Sequence, residues 1–134
     1  PQEKIILIMS EEFLDEVNIS NVEIVSEETL PESSLLNEFE SIQKSWSGLQ
    51  KNYWTNTTKR FFVLARFLEA RGIEKIIHLE SDCVLLNDKW VKREFDLNDW
   101  GLKYPKQHNS QGCASILLIN KKIVFNNFLK FVKL

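Results

Sequence analysis

The chain has 134 residues, 43% of them hydrophobic and 11% aromatic, with Lys+Arg 17 against Asp+Glu 19 and a net charge of −2. That length and apolar content suit one folded domain with a real core and exclude intrinsic disorder, and Gly 4 with Pro 3 excludes a collagen-like or low-complexity chain. The near-neutral balance supplies no basic footprint for nucleic acid, so no nucleic-acid partner is expected.

In chain order, Lys4-Ile5-Ile6-Leu7-Ile8-Met9 is a continuous apolar run rich in β-branched residues. It predicts a strand buried on both faces, as in a parallel sheet. Glu11 to Ser20 reads as a helical turn with a loop, and Val22 to Val25 as a second, shorter strand. Pro31 opens a helix over Glu32 to Ser47, with Leu35, Leu36, Phe39, Ile42 and Trp46 inward and Gly48 as its stop. The clearest helix covers residues 57–71, where Phe61, Leu64, Ala65 and Leu68 fall at i, i+3, i+4 and i+7, Asn56 is its N-cap and Gly72 ends it.

Lys75 to Leu79 is the next buried strand, Cys83 to Leu86 a short apolar extension and Asp88 to Phe95 a helix. Trp100 to Tyr104 and Ala114 to Ile119 read as strands. Lys121 to Leu134 reads as a last helix with Val124, Phe128, Phe131 and Val132 inward. Helices alternating with apolar strands predict an α/β fold with a mostly parallel central sheet flanked by helices. Residues 1–134 read as a single domain, and a start at Pro1 rather than Met suggests a piece of something longer.

No run of about 18 apolar residues is present, so no membrane span is expected in this chain. The opening apolar run is also too short for the core of a signal peptide; a cytoplasmic location is the expectation, with a membrane-associated or secretory-pathway full-length protein as the alternative. Cys83 and Cys113 have no zinc spacing; free buried thiols are the expectation, with a single disulfide between them as the alternative. Asn18-Ile19-Ser20 and Asn56-Thr57-Thr58 fit the N-glycosylation pattern.

The chemistry concentrates in Ile76-Ile77-His78-Leu79-Glu80-Ser81-Asp82, where an apolar strand runs into two carboxylates. In an extended chain i and i+2 share a face, so Glu80 and Asp82 project together, at the strand end where open α/β sheets bind ligands. Two carboxylates about 4–5 Å apart repel by about 3–4 kcal/mol at an effective dielectric of 20. Solvent, protonation, an arginine or a divalent cation must offset this. Oxygen ligands suit Mg²⁺ or Mn²⁺, and such ions keep positions open for phosphate oxygens. The bland alternative is a solvated acidic turn.

A helix over 57–71 that turns back into the strand at 75 runs antiparallel to it, which returns Arg60 to the level of Glu80. On a helical wheel Arg60 lies between Leu64 and Phe67, on the apolar side, with Lys59, Arg66 and Glu69 opposite. Arg60 is therefore either a partner for a ligand phosphate or carboxylate, or a structural ion pair with Glu80. His78 shares the strand face of the pair and reads first as a packed, hydrogen-bonded histidine. His108 lies in a polar stretch. Trp46, Trp54, Trp90 and Trp100 default to packing, with sugar stacking as the alternative.

Three segments together, Trp54 to Leu64, Ile76 to Leu86 and Ala114 to Asn120, resemble glycosyltransferases of the GT-A fold, which act on nucleotide sugars. The resemblance covers roughly residues 50–130. It implies that Glu80-Ser81-Asp82 is the metal motif, usually Asp-x-Asp and here with Glu first. Asp82 would ligate Mn²⁺ or Mg²⁺ on the diphosphate of a UDP- or GDP-sugar. Glu80 would help at the metal or the donor, Arg60 would sit at the donor site, and Ser115 near the transferred sugar. Ser10 would reach the nucleoside pocket.

The implied activity is transfer of the sugar to a hydroxyl acceptor such as a glycan. The family is usually longer, so the acceptor-binding part, a later metal ligand and the general base would follow this segment; the catalytic residue is left unassigned, with His108 as a substitute. Two other classes stay open: a catalytically silent or truncated nucleotide-binding or interaction domain, and a metal-dependent phosphoryl enzyme. The latter normally begins with an Asp nucleophile where this strand ends in Glu80.

Overall fold

The computed structural model describes residues 4–44, 51–83, 89, 93, 101–108, 111–112 and 115–132, with the backbone alone at 51–54, 106–108 and 111–112. The chain is an α/β protein with one short parallel sheet, antiparallel sheets and helices. Its residues gather into two compact units, Pro1–Ala70 and Arg71–Leu134.

In the first unit, β1 (Ile5–Met9) pairs in parallel with β2 (Val22–Ser26), Ile5 opposite Val22 through Met9 opposite Ser26. The connection between them contains a short 3-10 helix, Glu11–Glu16, and turns at Asn21, which sits at φ 66. Asparagine tolerates that left-handed conformation better than most residues with a side chain. β1 is less buried than its apolar sequence predicts: Ile5 is 61% exposed and the rest of the strand half-buried.

The first helix, α1 (Ser34–Gln43), begins later than Pro31 suggests. Ser33 is its N-cap, its hydroxyl accepting from the Leu36 amide at 3.4 Å. α2 spans Lys51–Arg71 and so begins well before the expected cap. Asn56 is thus an exposed residue inside the helix rather than its N-cap. Gly72 does end α2, with φ 61 in the left-handed region that glycine adopts freely.

Phe39 of α1 stacks on Phe62 of α2 at 4.5 Å. The Lys59 ammonium reaches Glu40 at 3.8 Å and Glu27 at 3.5 Å, and Arg66 donates to the carbonyls of Pro31, at 2.6 Å, and Leu30. Lys59, expected on a solvated face, thus reaches α1 at Glu40, and Arg66, expected on the same face, holds the segment just before α1. Phe61, Phe62, Val63, Leu64, Phe67 and Leu68 are all buried. On α1 the inward residues are Leu36, Phe39 and Gln43, whereas Ile42, expected inward, is 38% exposed.

In the second unit, β7 (Ile116–Ile119) is flanked by β3 (Ile76–Leu79) and β4 (Leu102–Lys103), antiparallel to both. The expectation of a mostly parallel sheet therefore holds for β1 and β2 but not for these three strands. Apolar content marks a strand as buried; it carries no information on strand direction, which long-range pairing decides. β5 (Lys106–His108) and β6 (Gln111–Gly112) form a small antiparallel ribbon.

The last helix, α3 (Lys122–Val132), is tied at its start. The Gly101 carbonyl accepts from the amides of Asn120 at 2.9 Å and Lys121 at 3.2 Å, and Glu74 accepts from the Lys122 amide at 3.3 Å. Phe125 and Leu129 are fully buried. The expected inward set is displaced by about one position: Val124 is 37% and Phe131 73% exposed, while Phe128 and Val132 are half-buried. The predicted helix at Asp88–Phe95 lies outside the described residues except for Lys89 and Arg93, which are helical. The extension after Cys83, Gly48, Trp46, Trp90, Trp100 and Cys113 also lie outside them.

Candidate functional site

β3 ends at Leu79, and its ladder with β7 extends one step further, the Glu80 amide donating to the Ser115 carbonyl at 2.9 Å. The chain then turns, the Cys83 amide donating to the Glu80 carbonyl at 3.0 Å. This reverse turn over residues 80–83 is what gathers the acidic side chains. The extended conformation expected through Asp82 is not what forms the pair. One ligand atom each from Glu80, Asp82 and Cys83 lies within 4.8 Å of the others. Asp82 is exposed, and Glu80 and Cys83 are half-buried.

Ser115, entering β7, donates its hydroxyl to Glu80 Oε2 at 2.7 Å. With the backbone bond, that makes two links between positions 80 and 115, fixing one carboxylate while Asp82 stays open to solvent. Cys83 is a free, half-buried thiol rather than a fully buried one. Its place in the cluster was legible in principle, because a reverse turn brings i and i+3 together.

The three donors could hold a metal ion. Two carboxylate oxygens match the hard-ligand preference of Mg²⁺ and Mn²⁺, and opposite ligands of a Mg²⁺ ion stand about 4 Å apart. The Cys83 thiol is a softer donor than those ions select. Neighbouring carboxylates also arise without a cation, so the geometry is permissive.

Arg60 belongs to the first unit, Glu80, Asp82 and Ser115 to the second. The Arg60 guanidinium carbon lies 4.8 Å from the ring centre of Phe61, a cation–π contact. Because α2 begins at Lys51, Arg60 stands in the interior of the helix rather than in its first turn. His78 is half-buried and faces Leu117 across the ladder. His108 lies in β5, and Trp54 in α2, both described by backbone alone.

A second polar constellation was not foreseen. At the C-terminal ends of the parallel strands β1 and β2, the Glu28 carboxylate accepts from the Ser10 hydroxyl at 2.8 Å, the Ser26 hydroxyl at 2.8 Å and the Glu11 amide at 2.9 Å. The Ser10 bond, then the Ser26 bond, hold its pKa well below the usual carboxylate range, at about 2. Ser10, which the resemblance sends to a nucleoside, here fastens Glu28.

Compared with known protein families, with characterised proteins and with solved structures, the chain matches none.

Proposed function

We propose that this chain is a GT-A-like nucleotide-sugar-binding domain of a metal-dependent glycosyltransferase. Its reaction would be transfer of a sugar from a UDP- or GDP-sugar to a hydroxyl acceptor. One observation carries the proposal: two carboxylates and a thiol converge within 4.8 Å on a turn at the end of an apolar strand. The resemblance in residues 50–130 supplies the rest.

Asp82 and Glu80 would hold Mn²⁺ or Mg²⁺. The ion, when bound, supplies a Lewis acid for the diphosphate leaving group. The chain's own contributions are distinct. Asp82 is the exposed oxygen donor. Ser115 donates to one Glu80 carboxylate oxygen and so orients the carboxylate. Arg60 is assigned to the donor on the resemblance alone.

The test is thermal-shift titration with UDP, GDP and their sugar conjugates, with and without Mn²⁺. Stabilisation that needs both nucleotide and metal, and that Asp82→Ala abolishes without lowering the melting temperature of the free chain, is the expected result. Equal stabilisation of parent and variant would refute the metal role. Metal-dependent binding without donor hydrolysis or transfer would favour the alternative, a catalytically silent nucleotide-binding domain.

A further inference from the structure

Of the three side chains that converge on the turn after β3, one is chemically unlike the other two. Glu80 and Asp82 offer hard oxygens, whereas Cys83 offers sulfur, and its Sγ lies within 4.8 Å of an oxygen of each carboxylate. Among the described residues no other three His, Cys, Asp or Glu side chains bring ligand atoms so close, although Glu11, Glu12, Asp15 and Glu16 stand on one short helix. The backbone fixes the placement, the Cys83 amide donating to the Glu80 carbonyl at 3.0 Å. The thiol is free, and Asp82 is exposed. Ser115 donates to Glu80, but a carboxylate has about four acceptor positions, so hydrogen bonding does not exclude it from a metal.

We propose that Cys83 is the third ligand of the cation site, and that the site therefore selects a thiophilic divalent ion of the zinc class over Mg²⁺ and Mn²⁺. The proposal rests on the reading that Glu80 and Asp82 hold a cation, and it changes which cation. Zn²⁺ accepts thiolate beside carboxylate, while Mg²⁺ and Mn²⁺ favour oxygen alone. Bonds of about 2.0–2.2 Å to oxygen and about 2.3 Å to sulfur put neighbouring ligands of a tetrahedral ion about 3.5 Å apart. Donor atoms within 4.8 Å reach that spacing by about 1 Å of side-chain movement. Coordination sends the thiol proton to water. Three protein ligands leave a fourth position open, as in zinc sites that bind a substrate oxygen.

The experiment titrates the reduced full chain with CoCl₂, ZnCl₂ and MnCl₂ in the absence of nucleotide. Co²⁺ is expected to raise a near-ultraviolet band from sulfur-to-cobalt charge transfer, and Zn²⁺ to bleach it. Cys83→Ser is expected to remove the band with an unchanged circular dichroism spectrum, and Cys113→Ser to keep it. By calorimetry, Cys83→Ser should weaken Zn²⁺ about tenfold or more and Mn²⁺ by less than about threefold. Three results overturn the proposal: no charge-transfer band in the parent, a band that survives Cys83→Ser, or equal losses of Zn²⁺ and Mn²⁺ affinity in that variant. Its failure is separable from failure of the glycosyltransferase reading. Stabilisation by nucleotide and Mn²⁺ that Asp82→Ala abolishes, without a sulfur–cobalt band, removes Cys83 from the site and leaves that reading standing. A band without any nucleotide-dependent stabilisation does the reverse.

Discussion

Gly101 offers the sharpest test of how α3 is seated. A Cβ built there would stand 2.4, 2.5 and 2.6 Å from Cγ2, Cβ and Cγ1 of Val124. Carbon atoms in good contact are about 3.5–4.0 Å apart, so Gly101→Ala forces an overlap of about 1 Å. The backbone cannot simply retreat, since the Gly101 carbonyl accepts from the Asn120 and Lys121 amides at 2.9 and 3.2 Å. Overpacking of this kind costs about 1–3 kcal/mol, and each lost backbone hydrogen bond about 1 kcal/mol. We expect Gly101→Ala to destabilise by about 2–4 kcal/mol, a large share of the about 5–15 kcal/mol available to a domain. Urea denaturation followed by circular dichroism reads this directly. Val124→Ala should not rescue the variant, because the Val124 Cβ is itself one of the obstructing atoms. Val124→Gly should rescue it, less about 1 kcal/mol for glycine in a helix. Stability of Gly101→Ala within about 0.5 kcal/mol of the parent would refute the reasoning.

Ser115→Ala removes the 2.7 Å bond to Glu80 while leaving the backbone bond between the same residues. If Glu80 helps hold a cation, Mn²⁺ affinity by calorimetry should fall about 10–100-fold, and Ser115→Thr should restore it. Glu28 predicts an acid-side effect. Its folded pKa of about 2 lies below the ordinary 4.5, so its contribution is present above pH 4.5 and disappears as the pH falls toward 2. The stability gap between parent and Glu28→Gln, measured by denaturation at each pH, should be open at pH 7 and close across that window. A gap that stays constant to pH 2 would contradict the cradle formed by Ser10, Ser26 and the Glu11 amide.

Much of the local structure was legible in the chain itself. Apolar β-branched runs marked β1, β2, β3 and β7, i, i+3, i+4 and i+7 spacing marked α2, and Gly72 marked its end, because these signals act over a few residues. The adjacency of Glu80 and Asp82 was also legible, though through the wrong local geometry: either an extended chain or a reverse turn brings such neighbours together. Other features depended on partners distant in sequence. Strand direction in β3, β4 and β7 is set by which backbone lies alongside, not by side-chain pattern. The inward face of α3 was ambiguous because Ile123, Val124, Phe125, Phe128, Leu129, Phe131 and Val132 allow more than one apolar stripe, and only packing chose Phe125 and Leu129. The Ser115 bond to Glu80 and the grip of Ser10 and Ser26 on Glu28 needed the folded chain, because a hydrogen bond depends on distance and direction between groups that sequence spacing leaves free.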